Sequence, residues 1–132
     1  MAVIGFQFTK MSVERKNVPT GNININNNIS IVEVKEEQVA MATNALRMTF
    51  AFSSRYDPDF GVIDLEGFLI YVPEGSSKDI LKSWKKDKSL LKDVRKEVMN
   101  AALARCNVEA ILMARELGLP SPVPMPTLEP KK

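Results

Sequence analysis

The apolar residues of this chain change their period once, near residue 73. Before that point they alternate, the pattern of strands half buried against a core. After it they recur every three or four residues, the pattern of a helix face. A run of strands followed by helix predicts an α+β protein with an antiparallel sheet covered on one side. The chain then leaves the helical pattern through Leu119-Pro120-Ser121-Pro122-Val123-Pro124-Met125-Pro126. Prolines at that density end a helix and favour an extended segment.

Four strands are legible. From about Val3 to Arg15, Ile4, Phe6 and Phe8 share a face, and the apolar phase then slips by one to Met11 and Val13. Such a slip predicts a β-bulge, where an extra residue re-aims the side chains. Residues 17–21 have loop composition. From about Asn22 to Glu36, Ile23, Ile25, Ile29 and Ile31 lie opposite Asn22, Asn24, Asn26 and Asn28. Asn27 interrupts the apolar face. The run Asn26-Asn27-Asn28 reads as a turn or bulge that splits the strand, or as a low-complexity tract; the isoleucine spacing argues for an ordered strand.

From about Val39 to Tyr56, Leu46, Met48, Phe50 and Phe52 form the apolar face. Asp57-Pro58-Asp59-Phe60-Gly61 follows, with the chemistry of a type I turn. From about Val62 to Val72, Ile63, Leu65, Leu69 and Tyr71 share one face. The other face turns from Asp64 and Glu66 to Phe68, Ile70 and Val72. A strand apolar on both sides for half its length is central in its sheet or meets another subunit.

Pro73-Glu74-Gly75 breaks the sheet, and Ser76-Ser77-Lys78-Asp79 has the form of a helix start. A short helix over 78–86 and a long one over 89–117 are predicted. Along the long helix, Leu91, Val94, Val98, Ala101, Ala102, Val108, Ile111 and Leu112 make a stripe. Met99, Leu103, Cys106, Ala110, Met113 and Leu117 widen it. That arc is broader than one sheet contact needs. Gly118 stands where a left-handed cap would close the helix.

At 132 residues the chain fits one domain, 1–132, with a sheet part 3–72, a helical part 77–117 and a proline-rich segment 118–132. The single Cys106 excludes an intrachain disulfide. No apolar run approaches the roughly 20 residues that span a bilayer. With no signal-peptide pattern at the start, the expectation is a cytoplasmic protein without membrane insertion.

Catalytic chemistry is thinly represented. There is no histidine, the commonest general base and metal ligand at neutral pH. Cys106 lies on the apolar side of the long helix, where a structural thiol is expected. Asp64 and Glu66 share a strand face, but paired acids on a solvated strand are ordinary. The expectation is a protein that is not an enzyme and needs no cofactor or metal.

Residues 78–96 carry eight basic against three acidic side chains, a local charge of +5 in a chain whose net charge is +2. Lys82, Lys85, Lys86, Lys88 and Lys92 there are either a solvated helix face or a site for nucleic acid or another acidic partner. Trp84 is the one aromatic among them, whereas base stacking uses several, which argues against nucleic acid. Seven methionines and the surplus apolar surface favour a protein partner instead.

Phe6-Gln7-Phe8-Thr9-Lys10-Met11-Ser12-Val13-Glu14 resembles the first strand of the SecB-type protein-export chaperones, bulge included. Phe50-Ala51-Phe52 and, after a turn, Val62-Ile63-Asp64-Leu65-Glu66-Gly67-Phe68 are similar to their third and fourth strands. Gly118-Leu119-Pro120 through Pro126-Thr127-Leu128 is similar to their glycine-to-proline segment. The resemblance implies a four-stranded antiparallel sheet in order 1-4-3-2, with helices on one face. It also implies assembly into dimers or tetramers, and capture of unfolded or precursor polypeptides in apolar grooves. Family members in bacteria dock a translocation motor on an acidic patch of the sheet, whose nearest counterparts here are Val62, Asp64 and Glu66. The pI of about 8.7 departs from those strongly acidic members.

The expected function is a SecB-like, ATP-independent polypeptide holder. Trp84, Leu119, Val123, Met125 and Leu128 are the exposed apolar candidates for contact with the client. The proline segment either presents its side chains or packs back on the sheet. Phe68, Ile70, Leu103 and Met113 are the candidates for an oligomer interface.

Overall fold

The computed structural model describes residues 2–16, 23–38 and 44–122. The element order is β1 (Ala2–Arg15), β2 (Asn24–Glu36), β3 (Leu46–Asp57), β4 (Gly61–Val72), α1 (Lys78–Asp87) and α2 (Lys92–Glu116). The four strands form one antiparallel sheet in the order β1-β4-β3-β2, with β1 and β2 at its edges. Both helices lie on one face of that sheet, so the architecture is α+β as the single change of period predicts.

Leu46, Met48, Phe50 and Phe52 of β3 and Ile63, Leu65, Leu69 and Tyr71 of β4 are buried beneath the helices. From α2 they receive Val98, Ala102, Cys106, Ala110 and Ala114, a ridge with a four-residue repeat. Four of these five residues are small, which suits a close approach of helix to sheet. On α1, Ile80 and Trp84 face inward while Lys78, Lys82, Lys85 and Lys86 are exposed.

Two bulges shape β1, one more than the sequence predicts. The register shifts between Phe8 and Lys10, at the expected slip, and also between Val3 and Gly5. The second shift takes Ile4 out of the inner row, which Val3, Phe6 and Phe8 occupy instead. Strand β2 is continuous through its asparagine run, and its bulge falls at Val32. Asn27 lies opposite Ser54 on the inner face. Its carbonyl accepts from the buried Ser54 hydroxyl, and its amide donates to the Pro122 carbonyl at 2.8 Å.

The β3–β4 reversal is not the expected type I turn. The Asp57–Pro58 bond is cis, Asp59 is left-handed at φ 44°, and Phe60 N–H closes on the Tyr56 carbonyl at 2.9 Å. The start of α1 also differs: the Ser77 side chain makes no capping bond, and Ser76 Oγ accepts from Lys78 N–H instead. The loop at 17–21 and the predicted start of β3 at Val39 lie outside the described residues.

The end of α2 follows its sequence. Gly118 is left-handed at φ 67°. Gly118 N–H bonds the Arg115 carbonyl and Leu119 N–H the Ala114 carbonyl, the paired bonds of a Schellman cap. Arg15 at the end of β1 donates to the Leu117 carbonyl at 2.9 Å, which ties the edge strand to the helix end.

Candidate functional site

The proline segment packs back as far as it is described. Leu119 is only 6% exposed. It seats its side chain over Gly61, where an added Cβ would lie 3.1 Å from it. Tyr56 Oη donates to the Pro120 carbonyl. Pro122 is buried and holds Asn27. Leu119 is therefore not the exposed contact residue expected of it, because the cap at Gly118 turns it inward. Val123, Met125 and Leu128 lie outside the described residues.

Trp84 is also not exposed: it is 7% accessible, on the core side of α1. Its ring nonetheless forms part of a pocket of about 250 Å³ at the elbow between the helices. Ile31, Leu90 and Met99 complete the apolar lining, and Lys88, Ser89 and Arg95 add polar groups. The elbow is fixed locally. Lys88 ends α1 in the left-handed conformation, its N–H bonded to the Trp84 carbonyl at 2.8 Å. Ser83 Oγ donates to the Ser89 carbonyl, and Ser89 Oγ to Asp87.

The interface candidates are largely covered from within the chain. Phe68 carries the Arg47 guanidinium 3.9 Å above its ring, and Glu37 holds that guanidinium at 2.7 Å. Ile70 is buried beside Gly5, where a side chain on residue 5 would crowd it. Leu103 and Met113 pack partly buried against the core. The open apolar side of α2 is instead Val108, 55% exposed, and Leu112, 46% exposed. Ile4, on edge strand β1, is 49% exposed as well. It lines a depression of about 440 Å³ with Phe6, Ala101, Ala104 and Arg105. A helix apolar on two sides has no single hydrophobic face, so a broad arc located the surplus without locating its direction.

Around Asp64 and Glu66 the other sheet face is polar. Asp64 and Glu66 line a basin of about 300 Å³ with Lys10, Asn28, Ser30, Ser53 and Arg55. Two basic residues thus accompany the two acids, and no purely acidic patch forms there. Val62 is half-buried on the same strand.

Cys106 is wholly buried at the centre of the α2 ridge, and burial pushes its thiol up to about 12. Thiolate is the reactive form, so this group is inert in the folded protein. We expect no labelling by a thiol reagent at pH 8 until denaturant is added, and then one equivalent per chain. Rapid labelling without denaturant would mean that α2 does not seat on the sheet.

No protein-family profile matches the chain, and no curated protein sequence does. Among solved structures, a SecB-like chaperone from Mycobacterium tuberculosis, in complex with a ChAD peptide from the HigA1 antitoxin, aligns over 99% of this chain and 92% of its own. The TM-score is 0.64 at 11% sequence identity. The fold is SecB-like. At that identity the likeness is one of architecture. The sheet order agrees with the order that the sequence resemblance implies. Among the described residues of this SecB-like chain, no helix is long and apolar enough to cross a membrane.

Proposed function

We propose that this protein is a SecB-like holder of unfolded polypeptide that works without nucleotide or cofactor, as a homo-oligomer and not as an enzyme. The observation that carries the reading is apolar surface left uncovered on a SecB-like frame. Helix α2 spends one side on its own sheet and still presents Val108 and Leu112 to solvent. Uncovered apolar surface of this kind marks contact with other chains. The structural neighbour is a chaperone bound to a peptide, which supports a polypeptide as the partner. Neither the neighbour nor the balanced charge around Asp64 and Glu66 supports docking to a translocation motor.

Without nucleotide, and at up to several-fold molar excess, the protein is expected to slow aggregation of a chemically unfolded client, read by light scattering. Failure over several clients and salt concentrations would overturn the reading. The exposed lysine row of α1 favours a second reading, an acidic or nucleic-acid partner. Phosphate contacts would show as a steep loss of affinity with salt, which apolar capture lacks.

Self-association is assigned to the outer side of α2 and the Ile4 edge. Leu112→Asp should give a smaller species by light scattering. One leucine lost from an interface costs about 1.5 kcal/mol or more and counts twice across a two-fold axis, so dissociation should rise on the order of 100-fold. An unchanged assembly would place the interface elsewhere.

A further inference from the structure

We propose that the elbow pocket selects client segments in which an apolar side chain stands beside an acidic one. This rests on the polypeptide-binding reading and adds a chemical preference to it. The pocket measures about 250 Å³, below the usual range for small-molecule sites and suited to a single side chain. Trp84, Leu90, Met99 and Ile31 make its lining apolar, so an aliphatic or aromatic side chain is the natural occupant.

Its charge comes from Lys88 and Arg95. Both are exposed, and neither has a carboxylate within salt-bridge distance among the described residues. The nearby Asp87 accepts the Ser89 hydroxyl at 2.6 Å and does not line the pocket. Lys88 Nζ stands 5.8 Å from the centre of the Trp84 ring, so the cation is placed beside the apolar wall. Its backbone, at φ 56°, is held by the helix-ending bond to Trp84. Lys85, Lys86, Lys92 and Lys96 are exposed on the two helices that meet at this elbow and add to the positive field. An extended client that buries one apolar side chain here would bring its next residues past these cations. A carboxylate at that place gains two partners, whereas a lysine is repelled.

Trp84 is the one tryptophan of the chain, so its emission reports occupancy of the pocket. Three short peptides without tryptophan, sharing one Leu-Phe core and flanked by aspartate, serine or lysine, are titrated against the full chain. The aspartate peptide should bind roughly three- to tenfold tighter than the serine peptide, as one or two partly exposed ion pairs supply, and the lysine peptide should bind more weakly. The order should collapse at about 1 M salt, where the screening length is about 3 Å.

The double variant Lys88→Gly, Arg95→Gln should lose the preference, so that in this variant the aspartate peptide binds no tighter than the serine peptide. Glycine accepts the left-handed position at residue 88, so the helix end is preserved. Binding of all three peptides with equal affinity would overturn the proposal and leave polypeptide capture standing. Retention of the aspartate preference in the double variant would also overturn it. No binding of any peptide would overturn both readings. A short single-stranded DNA that quenches Trp84 more tightly than the aspartate peptide would overturn the proposal in favour of phosphate recognition.

Discussion

Gly67→Ala should remove much of the stability of this protein. Gly67 sits on the inner face of β4, between Phe8 of β1 and Phe50 of β3. A Cβ there would lie 2.3 Å from the Gln7 carbonyl oxygen, 3.0 Å from Phe8 Cα and 2.9 Å from Phe50 Cζ. The first two are backbone atoms of the neighbouring strand. They cannot retreat without opening the β1–β4 pairing beside the Phe8–Lys10 register shift. The expected loss is about 3 kcal/mol or more, a large part of the roughly 5–15 kcal/mol that holds a domain together. Denaturant unfolding followed by circular dichroism measures it. Adding Phe50→Ala clears one of the three contacts and should not restore the midpoint, because the Gln7 oxygen remains. A cost below about 1 kcal/mol would contradict the β1–β4 register.

Phe50→Ala alone should cost about 3–5 kcal/mol, the transfer term plus the cavity left behind. Phe50 is wholly buried under α2. Its ring stacks on Phe6 with centroids 5.1 Å apart and meets Phe8 edge-on at 6.1 Å. Removal empties the centre of an aromatic cluster that joins β1 to β3 across Gly67. Phe50→Leu fills most of that volume and should cost clearly less, which separates loss of packing from loss of fold. A nearly neutral Phe50→Ala would mean that the inner row of β3 is wrongly assigned.

The two variants also connect fold to function. The proposed client pocket and the proposed self-association surface lie at the elbow and the outer side of α2, and both rest on a helix held down by the Phe50 cluster. Loss of that cluster should release α2, and with it the protection of Cys106 from thiol reagents. Loss of Lys88 or Leu112 should not. Thiol labelling therefore tells a variant that has lost its binding chemistry from one that has lost its frame.

Alternation and helical spacing, which are properties of neighbouring residues, determined the α+β order of elements. They also determined the inner rows of β3 and β4 and the cap at Gly118. The sheet order agrees with the motif resemblance, since Gly67 can lie against β1 only if β4 is its neighbour. What tertiary structure alone decided concerns surfaces. Leu119 and Trp84 read as exposed because a greasy residue in a polar stretch carries no sign of what lies opposite it. Leu119 is buried because Gly61, far away in sequence, leaves room for it. Trp84 is buried because α1 turns its tryptophan face inward, away from the lysine row. Phe68 and Ile70 read as open apolar side chains, but within the single chain the Arg47 guanidinium lies over the Phe68 ring and Ile70 is buried beside Gly5. On α2 it is Val108 and Leu112 that stand exposed, since a helix apolar all around shows its partnered side only once the sheet beneath it is in place.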